Sequence, residues 1–118
     1  MGNFPGRPGQ NEVSYVPWII LLTAGLLEIV WAFAMKQSAG FTRFWPTAIM
    51  GVSMLGSFAL LALAMRTLPL GTAYVVWTGI GAVGAFLVGI LFLGEAVTAT
   101  RICAAVLIVA GMITMKLA

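Results

Sequence analysis

Glu28 sits in the middle of an apolar stretch, "AGLLEIVWAFAM" (residues 24–35), and is the only ionisable residue in it. Carrying such a group to the centre of a bilayer costs about 2.5–3.5 kcal/mol on insertion scales, and residues kept at that cost mark proton relays and cation sites. Away from water, a lone carboxylate is stabilised by a proton or by a cation. A group that holds one or the other, but not both, makes their exchange obligatory. The competing reading is a protonated Glu28 that only hydrogen-bonds a neighbouring helix.

Helical spacing places Ala24 and Gly25 one turn before Glu28, and Trp31 and Ala32 one turn after it. The small residues let a backbone or a ligand come close. Trp31 offers an indole N–H to a carboxylate and a flat face to a cation. Farther along, Ser53 and Ser57 share a helical face, and the default partner of each hydroxyl is its own backbone. Tyr74, Trp77 and Gly81 fall on one stripe at i, i+3 and i+7. A carboxylate, a hydroxyl and aromatic rings together compose a site for an organic cation. Gly79 and Gly81, on either side of Ile80, also mark a place where their helix can bend between two shapes.

The elements that carry these side chains follow from composition. Of 118 residues, 62% are hydrophobic and 8% charged, whereas about a quarter of a soluble domain is charged. The expected fold is an all-α membrane protein with four transmembrane helices, at about 17–36, 46–66, 72–93 and 99–117. Residues 1–16 form a polar, Gly- and Pro-containing tail, read as disordered and given no function. The first run is longer than the apolar core of a signal peptide and carries a carboxylate, so it is read as a span despite the "AFA" at 32–34. Between spans, "KQSAGFTRFWP" carries Gly40 and Pro46, "RTLPLG" is a tight turn, and "LGEAVTATR" offers Thr98 and Thr100 as N-caps.

Connections this short impose an up-down-up-down path with both termini on one side. Orientation normally follows the Lys/Arg bias. Here Arg7, Arg66 and Lys116 lie on one side and Lys36, Arg43 and Arg101 on the other, so no side is preferred. Either this ambiguity is ignored, or the chain inserts both ways and the two forms pair as an antiparallel homodimer. Four short helices do not easily enclose a polar pathway alone, which favours the dimer. Ala104 and Gly111, seven apart in the fourth span, give a small-residue stripe suited to contact with a second copy. Tyr74 and Trp77 come out nearer one surface than Glu28, unless the turn at 66–71 is deep or the partner subunit supplies them.

Several function classes are excluded. With one cysteine, Cys103, and no histidine, there is neither an intrachain disulfide nor a His/Cys metal site. The net charge of +3 comes from cations scattered at helix ends, where they meet lipid headgroups, so nucleic-acid binding has no support. No second acid, histidine or nucleophile accompanies Glu28 in the membrane, so an enzyme is not expected. Glu95 is an interface or loop charge.

The lone carboxylate in the first span, "GFTRFWP" after it and "GTAYVVWTGIG" opening the third resemble the small multidrug resistance family of proton-coupled exporters. The resemblance covers residues 17–118. Within the family, "LLEIVWAFAMK" and "GTAYVVWTG", with Thr72 and Thr78, look like the guanidinium-exporter subtype. The resemblance implies an antiparallel homodimer in the bacterial cytoplasmic membrane that exchanges guanidinium-like cations for protons, with no cofactor beyond the coupling proton. It also implies roles by position. Glu28 binds proton and substrate, Trp31 and Ser57 orient it, Tyr74 and Trp77 line the pocket, and Gly25 leaves room for the ligand. Two other readings remain: a broader exporter of quaternary ammonium or lipophilic cations, with the Met- and Leu-rich second span admitting hydrophobic tails, and a non-transporting membrane subunit packed against a partner protein.

Overall fold

The computed structural model describes residues 15–118, in four helices: α1 (Tyr15–Gln37), α2 (Phe44–Ala64), α3 (Leu70–Leu93) and α4 (Ala99–Leu117). Each is long and apolar enough to cross a membrane. The shortest, of 19 residues, rises about 28 Å, close to the hydrocarbon thickness of a bilayer. Most of the expected tail, residues 1–14, lies outside the described residues. Tyr15 and Val16 do not belong to a tail, because they form the first turn of α1.

The boundaries shift for local reasons. Pro17 and Pro46 stand in the first turns of α1 and α2, where a missing N–H costs nothing, so both helices begin two residues before the expected positions. The chain leaves α1 through Ala39, Gly40 and Phe41, all at positive φ (50°, 73° and 68°). Buried Ser38 braces this bend: its hydroxyl donates to the Met35 carbonyl (2.7 Å) and accepts from the Phe41 N–H (3.1 Å). At the end of α3, Gly94 turns left-handed at φ 67° and lets the Glu95 N–H reach back to the Gly89 carbonyl at 3.0 Å. Thr98 caps α4 by accepting from the Arg101 N–H at 3.2 Å, whereas Thr100 lies inside the helix.

α1 is the central element, its backbone close to both α2 and α3, which meet each other mainly through side chains. α4 leans chiefly on α3 and buries no residue. At one end Lys116 reaches back over the Trp18 ring, 4.7 Å from its centre, and ties α4 to α1. The shared core is small: Leu21 and Ala24 of α1, Leu61 and Ala64 of α2, and Ala73, Val76 and Trp77 of α3. Large apolar side chains such as Val52, Leu91, Phe92 and Leu107 stay more than two-thirds exposed. That is untenable for a soluble monomer and expected where lipid or a second subunit covers the surface.

Candidate cation site

α1 and α3 run parallel and meet along small residues. Gly25 faces Ile80, Glu28 lies against Gly81, and Ile29 lies against Gly84. Each contact exists because a glycine lacks a Cβ. A methyl group at position 81 would collide with the Glu28 carboxylate, and one at position 25 would come within 2.6 Å of Ile80 Cγ2. The space beside Gly25 is thus taken by Ile80 in this conformation. Glu28 is the only charged side chain, among the described residues, more than about a turn from a helix end.

Two buried side-chain atoms among the described residues lack a hydrogen-bond partner: Glu28 Oε1 and Trp31 Nε1. They stand one turn apart on α1, an acceptor and a donor. Buried polar atoms are nearly always satisfied, and leaving one unpaired costs about 1–3 kcal/mol. A proton or a cationic ligand completes the Glu28 oxygen, whereas the Trp31 N–H needs an acceptor, which the Glu28 carboxylate one turn away can supply.

Ser57, fully buried on α2, does not bond back to its own helix as the default reading expects. Its hydroxyl donates to the Ala24 carbonyl of α1 at 2.6 Å and accepts from Trp77 Nε1 of α3 at 3.0 Å. One hydroxyl therefore joins three helices, one turn from Glu28. Replacing Ser57 with alanine is expected to lower stability by about 1–3 kcal/mol, because the Trp77 indole is left buried without an acceptor. Thermal melting in detergent measures this, with Ser53→Ala as the comparison.

The aromatic wall lies on the same side. Tyr74, half exposed, tilts against Trp77 with centroids 5.5 Å apart. Phe58 sits between the two tryptophans, edge-on to Trp31 at 6.4 Å and to Trp77 at 5.6 Å. Phe58 was not among the expected site residues. Its one sequence signal is to follow Ser57 directly as the sole aromatic residue between Trp45 and Tyr74. Trp77 stands one turn from the Glu28 level within a single protomer, so the expected depth offset is present. α3 runs unbroken through Gly79 and Gly81, and Gly79 receives Met112 of α4. Ala104 and Gly111 are exposed on α4, and nothing approaches the position of a Gly111 Cβ.

A helical chain of this size, with one unpaired carboxylate at mid-membrane, agrees with a family match over residues 16–109 to the model described as "Small Multidrug Resistance protein". The chain belongs to the small multidrug resistance family. A protein named "Guanidinium exporter" from Citrobacter freundii is 58% identical over 100 residues, which are 85% of this chain and 95% of that protein. One of the same name from Salmonella typhimurium is equally similar over the same shares. A third, from Escherichia coli strain K12, is 55% identical over 100 residues, again 85% of this chain and 95% of the relative. Family membership and the four apolar helices make this chain an integral protein of the bacterial inner membrane.

Proposed function

We propose that this chain exports guanidinium or small substituted guanidinium ions in exchange for protons, as an antiparallel homodimer in which each Glu28 holds proton and substrate in turn. The observation that carries this reading is the buried, unpartnered Glu28 Oε1 against the Gly81 backbone, with the unpartnered Trp31 indole one turn away. The names of relatives that cover most of the chain support the choice of substrate.

The chemistry is complementary. Guanidinium is planar and weakly hydrated, and its N–H groups form a fork that matches a carboxylate. Both guanidinium and the Trp31 indole are donors only, so neither satisfies the other, and both converge on Glu28, which offers about four lone-pair directions. Trp31 thus orients the carboxylate and gives the cation a ring face, while Ser57 and Trp77 hold the wall behind it. A quaternary ammonium has no donors, and a site built around hydrogen bonds discriminates against it.

The pairing of copies is supported by α4, none of whose residues is buried and on which Ala104 and Gly111 are exposed. The balance of cations on the two sides supports opposite insertion. Since Glu28 presses on Gly81, occupancy of the carboxylate is linked to the shape of α3 at Gly79 and Gly81, the hinge of this scheme. No step calls for a cofactor or for bond-making chemistry beyond proton transfer.

Current evoked by guanidinium in proteoliposomes of the purified protein, beside tetraethylammonium, tests the proposal. Guanidinium is expected to drive current and tetraethylammonium little. Comparable currents would move the assignment to a broad exporter of lipophilic cations, and silence with both would favour a non-transporting subunit.

A further inference from the structure

α1, α3, the α3–α4 connection and the first turn of α4 line a cavity of about 330 Å³ that runs from Ile29, next to Glu28, to Lys36 at the end of α1. Its charged lining residues are Lys36, Glu95 and Arg101, with Phe33, Phe86 and Leu93 among its apolar walls. Lys36 is in the last turn of α1 and Arg101 in the first turn of α4, which puts both at headgroup level. Glu95 Oε1 is 3.9 Å from Arg101 Nη2, and Arg101 Nη1 donates to the Ala96 carbonyl at 3.1 Å. Lys36 makes no ion pair among the described residues, so the cavity carries one net positive charge.

Ile29, Phe33 and Val88 line this cavity and also a second one of about 610 Å³, whose other walls include Val30, Ala34, Ile49 and Phe92. A small basic compartment and a larger apolar one thus border the same three side chains. The charge repels a substrate cation and attracts an anion, and the apolar neighbour asks for hydrocarbon attached to that anion.

We propose that the two cavities together bind one anionic phospholipid, its phosphate between Lys36 and Arg101 and its acyl chain in the apolar cavity. Glu95 aims the Arg101 guanidinium and limits the affinity by its own charge. Such a lipid would seat the α1–α3 seam in the bilayer, with its phosphate more than two helical turns from Glu28.

The test is retention of lipid by purified protein, read by native mass spectrometry after titration with phosphatidylglycerol or phosphatidylcholine. Phosphatidylglycerol is expected to be the better retained. Lys36→Gln and Arg101→Gln each should lower its retention about fivefold, the effect of one cation near a membrane surface. Arg43→Gln, an exposed cation outside both cavities, should leave it nearly unchanged. Glu95→Gln should raise retention, a direction that misfolding does not imitate. Equal retention of the two lipids, indifference to Lys36→Gln and Arg101→Gln, or a fall with Glu95→Gln overturns the proposal. So does binding of free glycerol phosphate as tight as that of the lipid, which would make this a site for a soluble anion.

Discussion

Glu28→Gln is expected to abolish guanidinium-evoked current and to remove measurable guanidinium binding, while the protein stays folded. Glutamine keeps the size and hydrogen-bonding ability of the side chain but carries no charge and takes up no proton. The variant loses the attraction for the cation and the means of coupling at once. Folding survives because the packing of α1 against Gly81 depends on the shape of this side chain rather than on its charge. Glu28→Asp separates the two roles: it keeps the charge but withdraws it by one methylene from Trp31 and Gly81, so binding should weaken without vanishing. In the parent protein, acid should work against substrate. As pH falls and Glu28 takes up a proton, the apparent Kd for guanidinium should rise, approaching about tenfold per pH unit for each proton displaced. Binding of guanidinium that is indifferent to pH, or current that persists in Glu28→Gln, would remove Glu28 from the centre of the mechanism.

The parts of this molecule legible in the sequence are those set by solvent. A bilayer demands about twenty apolar residues per helix and tolerates few charges, so the four spans and the singular position of Glu28 follow from composition and depth alone. What the sequence does not carry is which helix meets which. Ser57 looks like a hydroxyl bonded to its own backbone, as local rules assign it, yet it ties Ala24 to Trp77 across three helices. Phe58 has no polar atom and no distinguishing period, so its place between Trp31 and Trp77 appears only once α2 is docked. The helix starts moved because Pro17 and Pro46, read as the opening residues of their helices, are accommodated equally well at the third position of the first turn, where a missing N–H is harmless. Convergence of Lys36, Glu95 and Arg101 depends on the parallel course of α1 and α3, which brings the end of one beside the end of the other. Glycine is the most instructive case. The sequence leaves Gly79 and Gly81 open to plain packing or to a bend, and only the packed molecule shows what fills the room they leave, Met112 and the Glu28 carboxylate.

Gly81→Ala converts that absence into an experiment. The added methyl group would overlap the Glu28 carboxylate, which ends a flexible side chain, so the fold can absorb it by turning the carboxylate aside rather than by parting α1 from α3. Gly84→Ala is the matched control, because its methyl group would meet the flexible end of Ile29 on the same seam without touching Glu28. Overpacking of this kind costs about 1–3 kcal/mol. At position 81 the cost falls on the orientation that the carboxylate needs to engage a guanidinium fork and the Trp31 indole together. Guanidinium affinity should drop by about 5- to 150-fold, with current reduced in step. Gly84→Ala should lose comparable or greater thermal stability and keep its affinity within about threefold, because no hydrogen-bonding group of the site moves. If the two variants lose affinity equally, the glycine seam matters only for helix packing; if Gly81→Ala binds as the parent does, the carboxylate binds its ligand away from α3, and the link between occupancy and the shape of that helix falls.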